Sequence, residues 1–114
     1  MIITKLFTGH DGKSYFEDTD CGHESIHPLG AYSKKYPATG ITFRDFEAGL
    51  VFDQHTAPQP QYIIYLEGEV EVIASGGEKK VFKAGDVLFA TDTEGEGHIT
   101  RTLTKGKSGI ITTK

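Results

Sequence analysis

The side chains best equipped for chemistry in this 114-residue chain are five histidines and one cysteine. His23-Glu-Ser-Ile-His27 matches H-E-x-x-H, in which a helix sets two histidines on one face around a zinc ion and the glutamate works as base. Gly22 and Pro28 crowd the segment and no apolar helical face surrounds it, so the expectation is a solvated loop. Cys21 has only His23 as a basic neighbour, which gives little reason for a depressed thiol pKa and a nucleophilic role. Gly95-Glu-Gly97 places a negative charge where a phosphate-binding loop needs donors. His55 and His98 stand on strand-like segments instead, where every second side chain points the same way. By that rule Asp53 shares the face of His55, and Arg101 opposes His98 and is expected at the surface. Arg44 is also expected as a surface ion-pair partner, with clamping of an anionic substrate as its rival role.

The elements that position these residues read as short strands. Gln61 to Glu67 is rich in aromatic and branched residues, and Glu69 to Val72 alternates charge with apolar residues. Gly76-Gly77 is a hairpin signal, Val81-Phe82 precedes the turn Lys83 to Asp86, and Val87 to Ala90 is an apolar strand. His98 to Leu103 and Ser108 to Thr113 complete the second half. Gly40 to Phe46 and Leu50 to His55 supply two earlier strands around the turn Glu47 to Gly49, and Met1 to Thr8 a further one. Val70, Val72, Val87 and Phe89 are expected to face inward. Residues 19–38 lack a period, hold Pro28 and Pro37, and read as a long arm. Strands at this spacing, with 14 glycines, imply an all-β sandwich or barrel in one domain spanning residues 1–114.

One spacing is more specific. Gly49, five residues, His55, and then Gln61 with six residues to Gly68, resembles the first cupin motif, G-x5-H-x-H-x3-E-x6-G. Gly85-Asp86 is similar to the start of the second motif, with His98 as its histidine. Thr91 replaces the usual proline, and the loop Asp92 to Gly97 is longer than standard. Thr8 to Asp18, His55 to Pro58 with Gln61, and Asp92 to His98 together resemble a group of small single-domain cupins of unassigned function within the RmlC-like superfamily. That resemblance implies a double-stranded β-helix, or jelly-roll barrel.

It also implies where to look for a site. In metal-binding cupins two histidines one residue apart, a carboxylate and a later histidine converge inside the barrel. Here Ala57 replaces the second histidine and Gln61 the carboxylate, leaving His55 and His98. The implied metal set is therefore His55, Gln61 and His98, for zinc, nickel or iron. The implied ligand pocket adds Tyr65, which shares Gln61's face, whereas Tyr62 points away. The rival expectation is a metal-free polar patch of the same residues, satisfied internally or through water.

Three functions follow from this resemblance. One is a binding module for a small molecule, which is favoured. Another is a metal-dependent enzyme of oxygenase or isomerase type using His55 and His98, and the last is a structural protein with a vestigial site. A formal charge of −4 and the absence of any basic cluster beyond Lys34-Lys35 argue against nucleic acid. No apolar run approaches the roughly 18 residues of a membrane helix. The lone cysteine fits a reducing, cytoplasmic setting. Cupins of this size commonly pair through outer strands, so a homodimer is expected.

Overall fold

The computed structural model describes residues 1–114 and contains no helix. Its strands are β1 (Ile2–Thr8), β2 (Ser14–Asp20), β3 (Ser25–His27), β4 (Gly30–Tyr32), β5 (Gly40–Phe46) and β6 (Val51–His55). The second half holds β7 (Gln61–Glu67), β8 (Glu69–Ala74), β9 (Lys79–Lys83), β10 (Val87–Ala90), β11 (His98–Thr102) and β12 (Gly106–Thr112). One sheet runs β2-β1-β10-β7-β12-β5 and faces a second running β6-β11-β8-β9, while β3 and β4 form a separate small hairpin.

The order has a simple generator. From β5 onward the strands pair in nested fashion: β5 with β12, β6 with β11, β7 with β10 and β8 with β9, every pair antiparallel. A long eight-stranded hairpin has been rolled up, and successive turns of the roll alternate between the two sheets. That is the double-stranded β-helix, or jelly roll. The β1–β2 hairpin extends it, with β1 lying parallel to β10 and pairing Leu6 with Ala90.

Alternation builds the core. In β8, Val70, Val72 and Ala74 are buried while Glu69 is exposed and Glu71 half-buried. In β7, Ile63 and Tyr65 turn inward beside Leu6, Phe46, Phe82, Leu88 and Ala90. Burying each such side chain contributes about 1.5–3 kcal/mol. Gly68, at φ +82° between β7 and β8, sits where a Cβ would run into the Lys105 backbone, so the chain needs glycine to turn there.

Two expectations are corrected. In β10 the inward residues are Leu88 and Ala90, both in the core cluster, rather than Val87 and Phe89. Phe89 stacks on Tyr62 at 4.1 Å on the other face. That outer face is itself covered: Val87, Tyr62 and Ile64 line a shallow groove with Tyr36 and Pro37 of the arm. The arm is not purely loop either, because it contains the end of β2 and the β3–β4 hairpin. His27 lies in β3 and His23 in the exposed approach to it, so the H-E-x-x-H match has no helix to act from.

Candidate functional site

A cavity of about 760 Å3 opens between the sheets, lined by residues of β5, β6, β7, β11 and β12. His55, Gln61, Tyr65 and His98 all line it. Ala57 is buried nearby in the core cluster. The rest of the wall is largely apolar, including Phe46, Ile63, Val72, Leu88 and Ile110.

The two histidines meet because β6 and β11 pair them directly across the ladder. Their ring centroids are 4.4 Å apart. A bulge follows at once, since Thr100 pairs with Phe52. The extra residue on β6 brings Phe52 round to stack on His55 at 3.6 Å. Asp53 lines the same cavity as His55, as expected from their spacing, whereas Gln54 does not. Asp53 is exposed at the mouth, and its contact with His55 is through its backbone carbonyl.

Each imidazole is held from behind. His55 Nδ1 lies 2.8 Å from the Asp53 carbonyl, which only accepts, so Nδ1 carries the proton. His98 Nδ1 lies 2.5 Å from Oδ2 of Asp92. Both rings therefore keep Nε2 free of these anchors. Burial pushes the His55 pKa below the ordinary histidine value, with the neighbouring His98 adding to the effect, so this ring is neutral at pH 7.

Asp92 is the residue that sequence reasoning missed. It has no exposed surface, and its Oδ1 has no hydrogen-bond partner in the protein. It stands in the loop between β10 and β11, where an acidic residue reads as solvated surface. The signal available was its position at the head of the segment Asp92 to His98, one of the three stretches carrying the resemblance. The loop is pinned from several sides. Ala57 N donates to the Asp92 carbonyl at 3.1 Å, Thr91 N to the Leu6 carbonyl at 2.7 Å and Ser14 Oγ to the Gly97 carbonyl at 2.6 Å. Gly97 has φ +74° and passes so close to the His55 carbonyl that a Cβ there would overlap it.

The polar wall opposite comes from β5, β7 and β12. Tyr65 is 2 % exposed. Burial raises its phenol pKa well above the usual range, against the opposing pull of Arg44's positive charge, so the hydroxyl stays neutral. Arg44 itself is corrected from surface partner to pocket residue. It is half-buried, lines the cavity and donates from Nε to Ser108 Oγ at 2.9 Å. Arg101 points outward, with Nη1 3.5 Å from Glu71.

As a metal shell the set His55, Gln61 and His98 offers two neutral nitrogens and an amide, and no carboxylate joins them. Asp92 Oδ2 is engaged by His98 Nδ1, and no three His, Cys, Asp or Glu side chains cluster as a metal site. Imidazoles suit zinc, nickel or iron, but with only two of them and a neutral amide, water or a bound ligand would have to complete the shell.

No protein-family model matches the chain, and no curated protein is matched. Solved structures do resemble it. A conserved protein of unknown function from Streptococcus pyogenes superposes with a TM-score of 0.56 at 16% identity, over 72% of this chain and 69% of the other. The likeness is one of fold. An RmlC-like cupin protein from Desulfovibrio desulfuricans gives a TM-score of 0.49 at 27% identity, over 62% and 67% of the two chains. A Salmonella typhimurium protein carrying the name ethanolamine utilization protein Q gives 0.45 at 17% identity, over 98% and 94%.

Proposed function

We propose that this chain is a small cupin-type barrel that binds a small organic molecule between its sheets. The observation that carries this reading is the cavity of about 760 Å3, apolar over much of its wall, with His55, Gln61, Tyr65 and His98 among its lining residues. Ligand sites generally have this composition and size, with a few fixed polar groups in an apolar cleft. The two imidazoles, anchored through Nδ1, supply acceptors at Nε2 when neutral. Tyr65 supplies a donor, and Gln61 supplies both.

The test is a fragment screen followed by backbone amide NMR on the labelled protein. Binders should shift the resonances of Gln61, Tyr65 and His98 together, and His98→Ala should weaken them. Fragments that perturb only other surfaces, or a screen without a single binder, would overturn the reading.

A catalytic reading is favoured by one observation, the Asp92–His98 pair. A carboxylate holding an imidazole through Nδ1 leaves Nε2 oriented to take a proton from a bound molecule. This version needs no metal, in contrast to the expected metal-dependent enzyme, whose donor set is incomplete. It requires turnover that is lost in Asp92→Asn while binding survives.

The same reading takes the protein as a homodimer. Ile41 and Phe43 are 57% and 77% exposed on β5, an edge strand with one free side. An apolar free edge is a pairing site unless covered, and a second copy would cover it. Analytical ultracentrifugation showing a monomer at micromolar concentration would reject this part.

A further inference from the structure

Arg44 is the only lysine or arginine lining the cavity, and no carboxylate pairs with it. It lies on β5 with its guanidinium carbon 5.1 Å from the Phe46 ring centroid, and its Nε donates to the buried Ser108 hydroxyl. The four ion pairs of the molecule join the N-terminus to Asp20, Lys80 to Asp18, His98 to Asp92 and Arg101 to Glu71. None includes Arg44. Asp45 and Asp53 border the same cavity, yet both are exposed at its mouth and outside ion-pair distance of the guanidinium.

Holding a guanidinium half out of water costs free energy unless an anion meets it. Two restraints nevertheless fix this one in place: the Ser108 bond at Nε and the Phe46 ring. The remaining Nη donors form the edge of a planar fork, the shape that matches a carboxylate. His55 and His98 line the cavity from the facing sheet, together with Val72, while Gln61, Ile63, Leu88 and Ile110 line it from Arg44's own sheet.

We propose that Arg44, set by Ser108, is the anchor for a carboxylate, and that the ligand of this barrel is a small monocarboxylic acid with an apolar or aromatic body. This rests on the pocket reading above and names its ligand class. A single cation flanked by Asp45 and Asp53 suits one negative charge. A phosphate dianion would ask for more donors, and the surrounding carboxylates would repel it. The polar groups opposite then read the far end of the acid, where a hydroxyl or amine would meet Nε2 acceptors.

Benzoate and its neutral counterpart benzamide make the test, titrated by NMR into the native protein and into Arg44→Gln, Arg44→Lys and Ser108→Ala. Benzoate should shift the pocket resonances of the native protein at least tenfold more tightly than benzamide does. Arg44→Gln should abolish that preference while leaving benzamide unchanged. Arg44→Lys keeps the charge and loses the fork, so it should fall between, and Ser108→Ala should weaken benzoate alone. Thermal midpoints of each variant confirm that the barrel is folded, and Arg44→Lys serves should Arg44→Gln fail to fold. Equal binding of the two probes, or a benzoate affinity indifferent to Arg44, would overturn the anchor and leave the pocket reading standing. If neither probe reaches the cavity, the anchor falls, and the fragment screen decides the pocket separately.

Discussion

Asp92 and His98, six residues apart and both withdrawn from solvent, meet through a 2.5 Å contact between Oδ2 and Nδ1. A carboxylate with no exposed surface is held in the fold chiefly by such a partner, because leaving either group unpaired costs its full desolvation. The pair therefore ties the beginning of the β10–β11 loop to the first residue of β11, and fixes the direction in which His98 presents Nε2.

The energetic signature of this pair is coupling. Asp92→Ala and His98→Ala should each destabilise the protein by about 1–3 kcal/mol, since each strands a buried partner. The double variant should cost clearly less than the sum of the two. Urea denaturation of the four proteins checks this, and strict additivity would mean that the contact contributes nothing.

A second outcome concerns pH. The folded-state pKa of His55 lies below its unfolded value of about 6.5, so on acidification the unfolded chain takes up a proton first. This contribution to stability is present above pH 6.5 and is lost as pH falls from there through the folded value. His55→Gln removes the group, so the denaturation midpoint of that variant should be flatter across the same window. An unchanged slope would show that His55 is not desolvated.

Gly97 sets how closely the two histidine-bearing strands approach. Gly97→Ala requires both a left-handed conformation and relief of an overlap with the His55 carbonyl. It should cost more than about 2 kcal/mol and pull the two rings apart. Gly77→Ala is the matched control: its φ is +107° but nothing lies within 4 Å, so it carries only the conformational cost. Similar losses at both sites would mean that the β6–β11 approach tolerates expansion.

Metal content separates the readings of the histidine pair. Elemental analysis of untagged protein should find well under one equivalent of zinc, nickel or iron, and a mild chelator should leave the thermal midpoint unchanged. A full, tightly held equivalent that disappears in His55→Ala/His98→Ala would restore the metal-dependent enzyme.

Much of the barrel was legible because its strands alternate or are bounded by glycine. Gln61 to Glu67 stands out as a strand by its aromatic and branched residues, and Glu69 to Val72 carries its inward face openly. Val87 to Ala90 does not: its four residues are all apolar because both faces are covered, so nothing in the pattern fixes which pair turns inward. The strand β2 was hidden for the opposite reason, as Glu17 to Asp20 are exposed and polar on a sheet edge. In the site, His55, Gln61, Tyr65 and His98 followed from motif spacing and strand period. Asp92 and Arg44 did not, since a charged residue reads as solvated until a partner or a cavity wall beside it is known.

The parallel pairing of β1 with β10 has a bearing on how the chain is made. Leu6 is completely enclosed once it lies against Ala90. During translation the β1–β2 hairpin leaves the ribosome long before β10 is synthesised, and at about 5–20 residues per second it waits several seconds for its partner. An isolated hairpin is marginal in water. The amino-terminal hairpin thus spends that interval with Leu6 unsealed, and it docks on β10 only after most of the roll has been made.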